Sequence, residues 1–306
     1  MKAAGVSAAR LSALLYRLGW SVTCRVPEAV VKPALDAIAD QIVRRNGKGV
    51  QRLTSNLRRA TAAGDATGTD VLTRRAMRSY LRYWGESFRL PRWSADEIRA
   101  KVLPENDDLL RDAYASGNGV VAALPHMGNW DLAGAWACVE GMPLTTVAER
   151  LKPESLYEEF LRFRQGLGME VLPMTGGASP MPTLLDRVRH GGFVCLLADR
   201  DLSRNGIEVD LLGELARMPV GPASLAQQTG ATLLPVTTAY DGARMRLRFF
   251  DPIEHRAGRE GVRAMTADVA DAFSRAIRDD PADWHMLQRV FVGDLEGPGR
   301  ASAEGP

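Results

Sequence analysis

Apolar residues follow two different patterns along the chain, and the change falls near residue 115. In the first part, apolar residues after Pro27 recur at helical spacing: Val30, Val31, Leu35, Ile38 and Ile42. This spacing predicts an amphipathic helix, and residues 1–90 as a whole have a helical pattern. A polar break over 62–70 divides that region.

From Val120 onward, short apolar runs alternate with helical segments. The runs predict strands over 120–124, 144–148, 170–174, 193–198, 232–240 and 245–250. The helical segments lie near 130–140, 154–167, 180–189, 220–229 and 262–278. This alternation predicts an α/β fold with a largely parallel central sheet flanked by helices, preceded by a helical N-terminal region. We expect a single domain over 1–292, with a helical part (1–90) and an α/β core (115–292), followed by a disordered tail over 293–306.

The first 22 residues contain an apolar stripe. On a helical wheel Leu11, Leu14, Leu15, Leu18 and Val22 share one face, and Arg10 and Arg17 flank it. The two arginines argue against a signal peptide, and we find no uncharged apolar stretch that reaches the length of a transmembrane helix. Such a helix can pack on the protein core, or it can lie on a bilayer with its arginine stems extended to the lipid headgroups.

Charge is distributed unevenly along the chain. Residues 1–100 contain 18 Lys or Arg against 8 Asp or Glu, although the net charge of the whole chain is only +2. A basic N-terminal third favours an anionic surface, and a solvated helical surface is the simpler interpretation. The basic patches lack nucleic-acid-binding motifs, so we expect lipid rather than nucleic acid as the partner. The three scattered cysteines, Cys24, Cys138 and Cys195, indicate a reducing compartment and no structural metal site.

The segment LPHMGNWDLAGAWACVEG (124–141) places His126 and Asp131 around a strand-to-helix turn. Asn129 is the predicted N-cap of the helix and Gly141 its stop. Five positions along a continuous helix would point two side chains apart, so the pair can meet only if the chain turns between them. In that case Asp131 would accept a hydrogen bond from one imidazole nitrogen and leave the other as a base. The simpler alternative is an acid that stabilises the first helical turn beside a loop histidine without a role.

Other charged residues are candidates for substrate binding at the same sheet edge. Arg164 borders the apolar face of its helix, where it either holds an oxyanion or phosphate or forms an ordinary ion pair. Glu149 lies at the end of the second predicted strand. It is either an acid that orients or binds the acceptor, or a surface residue. Asp199, Arg200 and Asp201 follow the strand over 193–198, and Glu208 is a further acid nearby. The remaining histidines, His190, His255 and His285, have no partner at metal-ligand or triad spacing and are expected to be structural.

Several motifs in order along the chain resemble one enzyme family. His126-x-x-x-x-Asp131 resembles the signature of the glycerolipid acyltransferases, and the surroundings are similar to the lipid A biosynthesis acyltransferase branch. The supporting stretches are Leu15-Tyr16 with Gly19-Trp20 and Pro27, GFVCLLADRD (192–201), GIEVDLLGE (206–214), MPVGPASLAQQTGATLLPV (218–236), and Trp284 after Pro281. Within that branch the chain is most similar to the actinobacterial phosphatidylinositol mannoside acyltransferases. Related acyltransferases carry an E-G-T-R-like acceptor-binding block where this chain has Asp199, Arg200 and Asp201.

This resemblance implies a peripheral enzyme on the cytoplasmic face of the cell membrane. It would move a long acyl chain from acyl-CoA to a mannose hydroxyl of a phosphatidylinositol mannoside, without a metal or another cofactor. His126 would take the hydroxyl proton, Asp131 would fix its tautomer, and backbone amides of the following helix would hold the oxyanion. The chain has no G-x-S-x-G and no cysteine close to His126, and this chemistry requires no nucleophile of that kind.

Three alternatives remain open from the sequence. The same histidine and aspartate would serve an acyl-thioester hydrolase that uses water as the acceptor. A lipid-binding protein with a non-catalytic cleft belongs to a different class. A third alternative keeps the acyl transfer but changes the acceptor to another glycolipid.

Overall fold

The computed structural model describes residues 25–61, 66–149, 154–174, 179–201 and 206–295. The apolar stripe predicted within the first 22 residues lies outside these residues. The helices of the N-terminal region are α1 (Glu28–Arg45), α2 (Lys48–Ala60), α3 (Ala66–Arg89) and α4 (Ala95–Lys101). The later helices are α5 (Asp108–Ala115), α6 (Trp130–Val139), α7 (Glu154–Gly166), α8 (Met181–Arg189), α9 (Gly221–Thr229), α10 (Gly258–Asp279) and α11 (Val292–Leu295). Short 3-10 turns cover Leu90–Arg92 and Pro281–Asp283.

In the described part of the chain, seven strands form the central sheet and two form a separate hairpin. The sheet contains β1 (Val102–Glu105), β2 (Val120–Leu124), β3 (Leu144–Ala148), β4 (Glu170–Pro173), β5 (Phe193–Leu197), β8 (Thr232–Asp241) and β9 (Arg244–Phe249). The hairpin pairs β6 (Ile207–Leu211) with β7 (Glu214–Met218). The sheet order is β1-β9-β8-β2-β5-β3-β4, and only the β8–β9 pair is antiparallel. The prediction of a largely parallel sheet flanked by helices, with a helical N-terminal region, is confirmed.

Both faces of the sheet are covered, as the continuous apolar runs require. In β2, Val121 and Ala123 belong to one buried cluster, together with residues of α8, α9 and α10. Val120, Ala122 and Leu124 belong to a second cluster on the opposite face, with residues of α5, α6 and α7. The strand is therefore buried on both sides, and its C-terminal end is held rigidly where the next loop begins.

The structure adds elements that the apolar pattern did not predict. β1, β6 and β7 are short strands, and α4 and α5 are short helices. The four residues of β1 extend the sheet beside β9. α11 covers the start of the predicted tail, and residues 296–306 lie outside the described part of the chain. Among the residues described, no helix is both long and apolar enough to cross a membrane.

The N-terminal helices form their own small core and pack on the rest of the domain through α3. Buried residues of this core include Leu53 and Leu57 of α2 and Met77 of α3. The apolar stripe predicted for α1 is only partly buried, because Val31 is covered whereas Val30 and Ile38 are 59% and 52% exposed. Tyr83 and Glu86 of α3 contact the N-terminal end of α6, through Asp131 and Asn129 respectively. The helical region therefore forms one wall of the site described next.

Candidate active site

His126 and Asp199 lie at the carboxyl ends of two neighbouring parallel strands. β2 and β5 pair in register, so that Leu124 faces Leu197, and the Ala198 amide donates to the Leu124 carbonyl one step further. Each side chain therefore leaves the sheet two residues beyond the same paired position. This edge of a parallel sheet is where such folds gather ligands and reactive groups.

The two side chains form a short hydrogen bond. His126 Nδ1 lies 2.6 Å from Asp199 Oδ1, and the His126 backbone amide donates to Asp199 Oδ2 at 2.9 Å. Asp199 is fully buried, whereas 28% of the His126 side chain is exposed. Burial alone would raise the pKa of the Asp199 carboxyl. The positive charge of the His126 imidazolium, with the hydrogen bonds of His126 and Trp284, outweighs that effect and keeps this pKa below its ordinary value.

The contact with Asp199 determines how His126 presents its ring. An ionised carboxylate can only accept, so the proton of the neutral imidazole lies on Nδ1. Nε2, which has no hydrogen-bond partner among the described residues, is then the unprotonated nitrogen. A partly exposed imidazole in this tautomer can remove a proton from a hydroxyl that approaches from outside.

The predicted partner of the imidazole is wrong, because Asp131 binds two other groups. Its Oδ1 accepts from Arg164 Nε at 2.7 Å, and its Oδ2 accepts from Tyr83 Oη at 2.9 Å. Arg164 Nη2 also reaches Oδ2 at 3.3 Å. Only 2% of Asp131 is exposed, so the arginine and the phenol compensate a buried charge. Next to this carboxylate, burial raises the pKa of Tyr83 well above its ordinary value, and the Asp131 charge raises it further.

The turn between His126 and α6 explains why these two side chains diverge. Gly128 adopts a φ of +54°, and a Cβ there would lie 2.6 Å from the Thr238 carbonyl oxygen. The Gly128 amide donates to the Asp283 carbonyl, and the Thr238 hydroxyl donates to the Met127 carbonyl. The turn thus occurs where the sequence predicts it, but it directs the imidazole toward β5.

The start of α6 is capped as predicted and is held by α3. Asn129 Oδ1 accepts from the Leu132 amide at 3.0 Å, while Asn129 Nδ2 donates to Glu86 Oε2 at 2.9 Å. The same Glu86 oxygen accepts from the Tyr240 hydroxyl, and Arg82 donates to its other oxygen. A chain of buried polar contacts therefore joins the cap of α6 to the N-terminal helical region.

The segment 283–285 runs antiparallel beside the loop that carries His126. The His285 amide donates to the His126 carbonyl, and the Trp284 indole Nε1 donates to Asp199 Oδ2 at 2.9 Å. Ser79 Oγ lies 2.5 Å from Asp283 Oδ1 and 2.8 Å from His285 Nε2. Burial, with a smaller contribution from the His126 charge, lowers the pKa of His285 to about 3. His285 therefore stays neutral beside His126 at ordinary pH.

Four other predicted binding residues follow the carboxyl ends of β3 and β5, at the same edge of the sheet: Glu149, Asp199, Arg200 and Asp201. The role predicted for one of them, Asp199, needs a correction. Asp199 was expected to bind the acceptor, but its buried oxygens are occupied by His126 and Trp284, so it orients the imidazole instead. Arg200 is half-buried, and Asp201 Oδ2 accepts from the Gly206 amide at 2.9 Å. Glu149 is exposed just beyond β3. Their roles in binding stay predictions, as does that of Glu208, which pairs with Arg217 at 3.0 Å on the hairpin.

Sequence reasoning missed the residues that arrive from distant parts of the chain. Tyr83 and Glu86 carried no local signal, because they lie on a helix more than 40 residues before the turn that they contact. His285 was expected to be structural, and nothing in the sequence placed it beside His126; its ring centroid lies 6.3 Å from that of Trp130, and its amide donates to the His126 carbonyl. Trp284 was noted only as part of a resemblance.

Comparison with known proteins gives matches over most of the chain. The sequence model of the family "Bacterial lipid A biosynthesis acyltransferase" matches residues 7–292. The chain is 43% identical over 287 residues to "Phosphatidylinositol mannoside acyltransferase" of Mycolicibacterium smegmatis, covering 94% of this chain and 93% of the relative. It is also 43% identical over 289 residues to the protein of the same name from Mycobacterium tuberculosis, covering 94% and 90% respectively.

Proposed function

Since the chain belongs to the bacterial lipid A biosynthesis acyltransferase family and is therefore an acyltransferase, we propose that its acceptor is a phosphatidylinositol mannoside. The donor would be a long-chain acyl-CoA, and the acylated group a mannose hydroxyl. The acceptor is inferred from relatives 43% identical over 94% of this chain, whose names specify that glycolipid. The observation that carries the chemistry is the 2.6 Å contact between His126 Nδ1 and Asp199 Oδ1 beneath a partly exposed ring.

The proposed reaction transfers the acyl group directly from the sulfur of the donor thioester to the hydroxyl oxygen of the acceptor. His126 Nε2 takes the proton of the acceptor hydroxyl while that oxygen attacks the thioester carbonyl carbon. The tetrahedral intermediate then collapses, the carbon–sulfur bond breaks, and the imidazolium returns the proton to the departing thiolate. Asp199 keeps the imidazole in the required tautomer and stabilises the imidazolium that forms between the two steps.

Backbone amides at the start of α6 can stabilise the oxyanion of the intermediate. The amides of Leu132 and Ala133 already donate to Asn129. Those of Trp130 and Asp131 have no hydrogen-bond partner among the described residues, as expected for the first turn of a helix. We propose that these two amides, with the positive end of the α6 dipole, hold the developing negative charge.

We propose that the acyl chain enters the apolar layer between α6 and the sheet, whose side chains must separate to admit it, because the cavity there has room for about one water molecule. A small cavity of about 20 Å³ in this layer is lined by apolar side chains, among them Ala122, Leu124, Ala133, Ala137 and Val236. One of these residues, Leu124, lies only two positions before His126. Cys195 also lines the cavity, and burial raises its pKa to about 12, so its thiol stays protonated and forms part of the apolar wall.

The test of this function is a transfer assay with two readouts. Purified protein is incubated with mixed long-chain acyl-CoA and phosphatidylinositol mannosides, and mass spectrometry quantifies both acylated glycolipid and free acid. We expect acylated glycolipid as the main product, and an at least 100-fold lower rate for His126→Ala, because general bases contribute about 10²–10⁴-fold. His190→Ala removes an exposed histidine that precedes the amino end of β5 and is the matched control.

Each alternative gives a different outcome in this assay. Release of free acid without ester formation would identify a thioester hydrolase. Tight acyl-CoA binding without turnover, unchanged in His126→Ala, would identify a lipid-binding protein. Ester formation on a different glycolipid alone would keep the chemistry and replace the acceptor.

We also propose that the N-terminal helices dock the enzyme on the cytoplasmic face of the membrane. Exposed basic side chains lie on α1, α2 and α3, namely Arg44, Arg45, Lys48, Arg58, Arg74 and Arg75. Val30, Ile38 and Val71 are more than half exposed on α1 and α3. Apolar side chains next to basic ones suit an anionic bilayer, where each well-placed cation contributes about 1 kcal/mol.

Vesicle binding tests this docking. Replacing Arg44, Arg45 and Lys48 by glutamate should weaken binding to phosphatidylinositol-containing vesicles at least 10-fold. The variant and the unaltered protein should both bind weakly to neutral phosphatidylcholine vesicles. The matched control reverses Arg259, Arg263 and Arg278, three exposed arginines on α10. Equal loss in both variants would show that general charge, and not this surface, drives binding.

A further inference from the structure

Trp284 lies directly beneath the carboxylate that supports His126. It follows the 3-10 turn Pro281–Asp283, pairs with Met127 in an antiparallel bridge, and is fully buried. Its Nε1 donates to Asp199 Oδ2 at 2.9 Å. The Phe291 ring packs edge-on against the indole, with 6.5 Å between the ring centroids. The indole is therefore fixed by both backbone pairing and packing.

The hydrogen bonds of Asp199 give its two oxygens different tasks. Oδ2 accepts from the His126 amide and from Trp284 Nε1, while Oδ1 lies against the imidazole. Two donors on Oδ2 hold the carboxylate in the rotation that directs Oδ1 at Nδ1. They also share its negative charge, so that less of this charge acts on the imidazole.

We propose that Trp284 is a positioning residue for acyl transfer, acting through Asp199 on the orientation and basicity of His126. This inference rests on the proposed function, in which His126 is the base. Trp284 does not touch the reacting atoms in this scheme. Its indole N–H sets the angle at which the imidazole is presented and the pH at which it loses its proton.

The groups around Asp199 determine in which direction the loss of the indole N–H changes the pH dependence of the rate. Its hydrogen-bonding partners are His126 and Trp284, and the nearby His285 is neutral at ordinary pH because burial lowers its pKa to about 3. Without the indole donor, the negative charge of Asp199 acts more fully on the imidazole. The imidazole then keeps its proton to higher pH, and the acid limb of the rate profile moves upward.

The test compares Trp284→Phe with Trp136→Phe. Both tryptophans are buried, but Trp136 lies on α6, packs against Phe249 of β9 and makes no hydrogen bond with Asp199. For Trp284→Phe we expect kcat to fall about 10- to 100-fold with KM nearly unchanged, the effect of losing a hydrogen bond to a charged group. The acid limb of its kcat/KM profile should move to higher pH, whereas that of Trp136→Phe should not move.

A second variant and a second measurement keep the proposal testable if Trp284→Phe folds poorly. Incorporating benzothienyl-alanine at position 284 replaces the indole N–H by sulfur and keeps the bicyclic shape. Proton NMR of the whole protein should show a low-field signal for the short His126–Asp199 hydrogen bond, assigned by its loss in His126→Ala. The signal should shift or broaden in both position-284 variants.

The outcomes separate this proposal from the proposed function. Unchanged kcat, pH profile and low-field signal in the benzothienyl variant would overturn the positioning role of Trp284. Full activity of His126→Ala would instead overturn the proposed function, while the NMR signal would still report whether Trp284 holds the imidazole–carboxylate bond.

Discussion

His126 and Asp199 occupy equivalent positions after two neighbouring strands, each two residues beyond the facing pair Leu124 and Leu197. The 2.6 Å contact between their side chains is therefore a consequence of strand register, and the loops contribute little freedom to it. β2 and β5 are buried on both faces, which holds that register rigidly. A base that is positioned by a sheet loses little activity to disorder before the substrate arrives.

Replacing Asp199 by asparagine should remove most of the activity. Asparagine keeps the size of the side chain but carries no charge to stabilise the imidazolium. It can also present an amide N–H to the indole or the imidazole, which reverses the hydrogen-bond pattern. We expect kcat to fall about 100-fold or more, measured as ester formed per folded protein. Asp210→Asn alters an exposed acid that caps the β6–β7 turn and should keep full activity.

The sequence predicted the location of the site better than its internal pairing. Strand positions were recognisable because apolar runs mark them, and the predicted 120–124 and 144–148 agree with the structure. The order of the strands carries no local signal, and it was the adjacency of β2 and β5 that selected Asp199 as the partner of His126. A carboxylate five residues away was the nearer choice along the chain but not in space.

The polar layer behind the loop shows a second limit of sequence reasoning. Tyr83, Glu86 and Asp283 come from a helix and a turn whose packing depends on the complete fold. Their own segments resemble any amphipathic helix or polar turn. Their roles become visible only when the buried charge of Asp131 and the cap of α6 require partners.

Removing Arg164 should destabilise the protein because it leaves the Asp131 carboxylate buried without its cation. Arg164 is 14% exposed and Asp131 only 2%, so solvent cannot replace the lost pair. We expect Arg164→Met to lower the free energy of unfolding by about 3 kcal/mol in denaturant titrations. Adding Asp131→Asn should recover part of this loss, since the double variant no longer buries a charge.

The control for this prediction is an ion pair on the surface. Arg187 and Glu170 form a similar two-contact pair, but both side chains are at least 40% exposed. Arg187→Met should therefore cost less than about 1 kcal/mol. Equal losses at the two positions, or additive losses in the double variant, would mean that Asp131 does not depend on Arg164.

The buried His285 should make stability depend on pH in the mildly acidic range. Its pKa is about 3 in the folded protein against 6.5 for a solvent-exposed histidine, mainly because of burial. Between these values the unfolded chain binds a proton that the folded chain does not, so stability falls as the pH falls. The largest slope from one such group is about 1.4 kcal/mol per pH unit.

Unfolding titrations from pH 7 to pH 4 measure this slope. His285→Gln cannot take up the proton and should show a flatter dependence below pH 6.5, even though it is less stable at pH 7. Parallel curves for the two proteins would show that His285 is not the group responsible.

Gly128 should be required for activity because of its conformation and because of the backbone beside it. Its φ is +54°, and a Cβ would lie 2.6 Å from the carbonyl oxygen of Thr238, which cannot yield as a flexible side chain would. Gly128→Ala should therefore displace the loop that carries His126 and lower the transfer rate at least 10-fold, together with the thermal midpoint. Gly141 also has a positive φ, +83°, but nothing lies within 4 Å of its Cβ position. Gly141→Ala should cost only the backbone strain, about 1–2 kcal/mol, and keep its activity per folded protein. If both variants kept full activity, the close contact at Gly128 would not be what holds the imidazole in place.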